Sequence, residues 1–347
     1  MNSTRQFGYD VIRAVACFFV VVVHTTMLID VSNLYCDILK SAIMLVAITA
    51  NAMFFMMSGK FNLTKKNQGN WGSFYIKRFA SLIVPVAIYF FVRTLYNELP
   101  EWPGFIEFGK QFLKDIFFNY ASTEYWFIYP LVGFLLAAPF LSVAFCDMTK
   151  HQAYIFVGVG VVFNGLTFLM SNIGIDLSWN YLFSGFGFVF FSGPLIETLV
   201  DSKKNLRVSQ GIAFFSFVLT LILQYGLGFE SGIYDISPLY FLLAVGIYVT
   251  LLDFGNKIKG SRMVSFVAKH SLGVYLTHMM VLYPLNMLLG GAEGPVSLSV
   301  FGMGVIFVFI FSLMLGVVID EMLVKPMQKA TRAFFASVFS KNETSRV

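Results

Sequence analysis

Residues 9–29 read YDVIRAVACFFVVVVHTTMLI, and this stretch decides the fold. It is apolar over the roughly 20 residues that a helix needs to cross a hydrocarbon core about 30 Å thick. Asp10, Arg13 and His24 are its strongly polar exceptions. Arg13 lies inside the run and no small-x-small cleavage site follows it, so the segment reads as a retained helix and not as a signal peptide.

Similar runs recur near 39–59, 79–97, 125–146, 153–171, 179–199, 209–228, 236–253, 264–284 and 299–320. They predict an all-α, polytopic membrane bundle of about ten transmembrane helices. Composition agrees: 57% of the 347 residues are hydrophobic and only 12% charged, too little polar surface to clothe a soluble particle of this length. Hydrophilic stretches are too short for a separate soluble domain, so residues 1–347 read as one membrane domain. No low-complexity segment or internal repeat stands out. Three cysteines, Cys17, Cys36 and Cys146, are an odd number, two of them in or beside apolar runs, and no disulfide framework is expected.

The net charge of +5 would suit a nucleic acid, but its placement points to the bilayer instead. With the N-terminus inside, the loops on that side hold Lys60, Lys65, Lys66, Lys77 and Arg78, then Lys150, then Lys203, Lys204 and Arg207, and later Lys257, Lys259 and Arg262. The opposite side keeps Lys40, Lys110 and Lys114 and is otherwise acidic or neutral, with Asp37, Glu98, Glu101, Glu107 and Glu230. By the positive-inside rule both termini are cytoplasmic. The longest outer loop, 97–124, carries Pro100, Trp102 and Pro103 and then an amphipathic stretch to Phe118, expected to lie along the interface.

Ionisable groups inside a bilayer are costly and mark candidate sites. His24 follows Arg13 by eleven residues, about three helical turns, so the two share one face roughly 16 Å apart along the axis. Arg13 falls near the cytoplasmic boundary and His24 beyond the midplane. A guanidinium suits a phosphate, because it donates two parallel hydrogen bonds and stays charged. An imidazole suits proton transfer near neutrality. A plainer arrangement is also open, in which Arg13 pairs with Asp10 and snorkels while His24 bonds a neighbouring helix.

Four segments in order carry a resemblance. Asp10-Val11-Ile12-Arg13 with His24-Thr25 ten intervening residues later, Phe54 to Gly59, Tyr125-Trp126-Phe127, and Ser271 to His278 resemble the Asp-x-x-Arg and Arg-x10-His, Phe-Phe-x-x-Ser-Gly, Leu-Trp-Phe and Ser-x-Gly-x-Tyr-Leu-x-His patterns of acyltransferase family 3. Bacterial members of that membrane-bound family commonly O-acetylate surface polysaccharides. The chain departs from the pattern at Lys60, where an aromatic or apolar residue is usual, and at Leu82, where many members have an arginine. Lys60, Lys77 or Arg78 would have to compensate, or serve only as loop cations that set topology.

The resemblance implies an O-acetyltransferase of the bacterial cytoplasmic (inner) membrane, including the O-antigen type of acceptor, that uses acetyl-CoA as donor substrate and needs no cofactor or metal. Its implied site has His24, His278 and Glu124 as catalytic candidates. Arg13, Asp10, Ser58, Lys77, Arg78, Arg93 and Tyr275 are the candidates for binding CoA or substrate, with Arg93 or Asn51 as donor to the developing oxyanion. Glu124 also reads as a loop carboxylate, and His278 as a bond between helices. Partners would be acetyl-CoA, a glycan or lipid-linked sugar acceptor and the lipid bilayer, with no nucleic acid. His151 and His270 are expected at cytoplasmic helix ends without a catalytic part. The rival reading is a transporter or flippase for a glycan or lipid-linked sugar, which would bind substrate with the same polar residues and consume no CoA.

Overall fold

The computed structural model describes residues 7–29, 33–64, 71–118, 121–175, 177, 185–234, 237–289 and 298–344, the last of these with side chains over 300–338. Loop residues such as Lys65 and Lys66, and the first part of the run expected at 179–199, lie outside these. The described residues are helical, with no strand among them. In chain order the helices are α1 (Phe7–Thr25), α2 (Leu34–Ala47), α3 (Thr49–Asn62), α4 (Trp71–Arg78), α5 (Val84–Glu98), α6 (Phe105–Phe118), α7 (Ile128–Phe145) and α8 (Lys150–Asn172). After them come α9 (Gly185–Leu199), α10 (Lys203–Leu227), α11 (Pro238–Lys257), α12 (Arg262–Lys269), α13 (Ser271–Leu288), α14 (Leu298–Ile319) and α15 (Lys325–Thr344).

Among the described residues, eight helical segments are long and apolar enough to cross a membrane. The chain is therefore a multi-pass membrane protein. The runs expected at 179–199 and 264–284 differ from those eight. α9 is described over 15 residues. The other run is divided at His270, where the backbone leaves helical geometry between α12 and α13 (φ −100°, ψ 11°). The final span does not end in a loop: α14 runs through a π turn, Asp320–Val324, into α15. A second π turn, Phe79–Ile83, links α4 to α5. Each π turn ends two residues before a proline, Pro85 or Pro326, whose missing N–H and ring bulk disturb the α-helical ladder.

α1 lies at the centre, packed against α3, α11, α12 and α13. Its buried face includes Ile12, Ala16, Val20 and Val21. Backbones approach closely where glycines allow it. A Cβ on Gly59 of α3 would stand 1.8 Å from the carbonyl oxygen of Phe190, and one on Gly193 of α9 would stand 2.0 Å from that of Met56. Gly273 of α13 and Gly316 of α14 meet in the same way, with 3.0 Å from a Cβ on the first to the Cα of the second. Small residues are how membrane helices gain dispersion contact where lipid offers no hydrophobic drive to associate. The periphery is apolar and exposed, as at Phe214, Phe215 and Ile222 on α10 and Ile306, Phe307 and Ile310 on α14. On helices of spanning length such faces suit lipid. The three cysteines are free.

Candidate active site: two adjoining cavities

Two cavities lie along the inner face of α1. The first, about 470 Å3, is lined by Arg13, Ser58, Arg78 and Ser271 among its polar residues. The second, about 480 Å3, is lined by His24, Glu124, Trp126 and Glu230. Asn51 and Tyr275 line both, so the two cavities adjoin at these residues. The eleven-residue spacing in α1 thus opens one residue to each cavity. Among the described lining residues, the first cavity has cations and no carboxylate, and the second has carboxylates and no Lys or Arg.

At the cationic end, Arg13 Nη1 lies 3.8 Å from Asp10 Oδ1, and its guanidinium sits 5.5 Å from the centre of the Phe61 ring. Asp10 is buried and accepts from Ser265 Oγ at 2.7 Å. It therefore ties α1 to α12 and orients Arg13, without itself lining either cavity. Arg13 thus pairs with Asp10 and also lines the cavity. Arg78 stacks its guanidinium 5.3 Å from the Phe74 ring centre, and its Nε is buried without a hydrogen-bond partner. Leu82, where the resemblance led to an arginine, lines the same cavity one turn on. Of Lys60, Lys77 and Arg78, Arg78 is the one that lines this cavity.

Lys77 is exposed and lines neither cavity. Adjacent helical residues point about 100° apart, so Lys77 and Arg78 cannot both face inward. Lys60 is also unavailable: its Nζ pairs with Glu197 Oε2 at 2.6 Å. Tyr9 (2.8 and 2.9 Å) and Tyr248 (3.0 Å) donate to the same carboxylate, which makes this cluster a tie between α1, α3, α9 and α11.

At the other end, the rings of His24 and His278 lie 4.8 Å apart. His278 is buried, and its Nδ1 is 2.6 Å from the Tyr275 carbonyl oxygen. A carbonyl only accepts, so Nδ1 carries the proton and Nε2 keeps its lone pair, which has no partner. Glu124 is buried on the turn Thr123–Phe127 that opens α7, and its Oε2 is likewise unpartnered. The Tyr275 hydroxyl donates to the Glu124 backbone carbonyl, and the Tyr125 hydroxyl donates to that of Leu276 at 2.5 Å. These two bonds lock the turn against α13, so Glu124 is part of the wall and not a solvated loop carboxylate.

Arg93 is buried but lines neither cavity. Its Nη2 donates to Ser122 Oγ at 3.1 Å and its Nε to the Ala121 carbonyl at 3.4 Å. It braces the segment leading to Glu124, and of the two candidate oxyanion donors only Asn51 lines the cavities. His151 is exposed on α8. His270 is buried and bonded to Asp320 (2.6 Å), a partnership that its position at a helix end did not suggest. Among the described residues no group of His, Cys, Asp and Glu could hold a metal ion.

A family model described as an acyltransferase domain matches residues 6–319, which takes in α1 to α14. No curated protein and no solved structure gives a match.

Proposed function

The chain belongs to acyltransferase family 3, and from that premise we propose that this membrane acyltransferase moves an acetyl group from cytoplasmic acetyl-CoA to a hydroxyl of a surface or lipid-linked glycan. The observation that carries the reading is the pair of adjoining cavities, one lined by arginines and the other by carboxylates, that share Asn51 and Tyr275. In this reading about ten spans place both termini in the cytoplasm of a bacterial cell and its inner membrane around the bundle. The Arg13–Arg78 end then faces the cytoplasm and the His24 end the opposite side.

Acetyl-CoA enters at the cationic end, where Arg13 and Arg78 meet its phosphates. The pantetheine arm passes Ser58, then Asn51 and Tyr275, and brings the thioester to His24. Neutral His24 takes the proton from an acceptor hydroxyl as that oxygen bonds to the thioester carbonyl carbon. Asn51 donates to the oxyanion that develops. The carbon–sulfur bond then breaks, and the proton held on His24 passes to the departing CoA thiolate. His278, through its Nε2 lone pair, accepts a hydrogen bond from the imidazolium formed on His24, and Glu124 accepts from a second hydroxyl of the sugar.

The test is acetyl incorporation into cell-surface polysaccharide, by NMR or mass spectrometry, in cells making wild type or His24→Ala at equal membrane levels. Acetylation with wild type and its loss in the variant is the expected result. Equal acetylation in both removes His24 from the mechanism. A wild type that moves a lipid-linked sugar across the membrane and consumes no acetyl-CoA favours the transporter.

A further inference from the structure

The cavity at the His24 end carries more chemistry than proton transfer needs. Trp126, Phe186, Tyr234 and Tyr275 line it beside Glu124 and Glu230, with no Lys or Arg among the described lining residues. Its volume lies within the roughly 300–1,000 Å3 of small-molecule sites. Glu124 Oε2 is buried with no partner, an acceptor waiting for a donor. A hydroxyl or an ammonium can supply that hydrogen bond; an ionised carboxylate or phosphate cannot, because it only accepts.

Glu230 reaches the cavity from the segment after α10, and a side chain on α8 holds that segment in place. Asn172 Oδ1 accepts from the backbone N–H of Glu230 (3.0 Å) and of Ser231 (3.1 Å), while Nδ2 donates to the Ser231 carbonyl (2.9 Å). One side-chain amide thus pins the rim through both its oxygen and its nitrogen. The rim then turns at Gly232, in the left-handed region at φ 68°, to deliver Tyr234. Tyr234 in turn accepts from Gln224 at 3.4 Å.

We propose that this cavity selects the acceptor by charge, taking a neutral or amino-bearing sugar and excluding an anionic one, with Glu124 and Glu230 as the filter and Asn172 as the residue that positions the rim. The proposal rests on the acyltransfer reading and names the substrate class of that site. Selectivity of this kind comes as much from repulsion of the wrong partner as from attraction of the right one.

The experiment uses the full chain in lipid nanodiscs, acetyl-CoA, and three methyl glycosides differing in one substituent: a glucoside, its 2-amino analogue and a glucuronide. Product is read by mass spectrometry and binding by quenching of Trp126 fluorescence, assigned with Trp126→Phe. The expected kcat/KM favours the neutral and amino acceptors over the glucuronide by about tenfold or more, the scale of like-charge discrimination. Glu230→Gln narrows that ratio and Glu230→Lys reverses it. Asn172→Ala raises the KM of all three acceptors while the KM for acetyl-CoA stays unchanged, a split that general destabilisation would not produce. Transfer that ignores charge, or a ratio unmoved by both Glu230 variants, overturns the filter alone. Charge-ordered quenching with no acetyl transfer overturns the acyltransfer reading alone. Neither quenching nor transfer overturns both.

Discussion

Arg13 and Arg78 differ from the neighbouring cations in one respect, which is that they line a cavity, and their contributions should differ accordingly. A charge-assisted hydrogen bond to phosphate contributes about 1.5–3 kcal/mol, so Arg13→Ala and Arg78→Ala should each raise the KM for acetyl-CoA by roughly tenfold or more. Lys77→Ala should leave that KM within about twofold, since an exposed cation contributes little. Steady-state kinetics on protein in nanodiscs checks all three, and an equal effect of Lys77 would mean that the phosphates lie outside the cavity. Arg13→Lys tests the fork itself: the charge survives and the bidentate geometry does not.

The motifs divide their labour at the scale of elements. In Phe54 to Gly59 and in Ser271 to His278, serine and tyrosine line the cavities, whereas each glycine sits where another helix presses closest. Gly59→Ala or Gly193→Ala should therefore force α3 and α9 apart, since overpacking typically costs about 1–3 kcal/mol. A lower thermal unfolding temperature of the detergent-solubilised protein would show it; an unchanged one would mean that the helices slide past each other freely. α6 illustrates a different attachment. It presents Phe105, Ile106, Leu113, Phe117 and Phe118 outward, as expected of an interfacial helix. It is held to α5 by buried Asp115, which accepts from Thr94 Oγ1 (2.5 Å) and Gln111 Nε2 (2.8 Å). Asp115→Ala removes the Thr94 tie between α5 and α6, at about 1 kcal/mol, and should speed hydrogen exchange in α6 selectively.

Across the whole molecule, buried polar ties replace the hydrophobic drive that lipid removes. The Tyr89 hydroxyl of α5 shares its hydrogen between Asp320 Oδ1 (2.8 Å) and the Gly316 carbonyl (3.0 Å), and Asp320, the first residue of the π turn after α14, also bonds His270 at the break before α13, so three parts of the chain meet at one carboxylate. Tyr89→Phe removes the one hydrogen shared between these two acceptors and should destabilise the protein by about 1 kcal/mol, read as a fall in thermal unfolding temperature. The proposed orientation has its own test. With Cys36 and Cys146 replaced by serine, an impermeant maleimide should label Lys204→Cys only from the cytoplasmic side and Lys110→Cys only from the other; the reverse pattern would invert the cavities and their substrates.

Sequence alone determined the solvent and the chemistry's alphabet. Hydrocarbon tolerates only long apolar helices, so the runs announce themselves without any tertiary information, and an ionisable group within one, such as Arg13 or His24, is conspicuous because it is costly. The spacing of those two along a single helix was legible for the same reason, since helical geometry is local. What the tertiary structure decided is everything that depends on which faces meet. It withdrew Lys60 to Glu197 and Lys77 to the surface, moved Arg93 behind the wall, buried Glu124 beside Tyr275, and paired His270 with Asp320. It also brought Asn172 and Glu230 together across 58 residues. Such contacts join residues far apart in the chain, and no local periodicity encodes them.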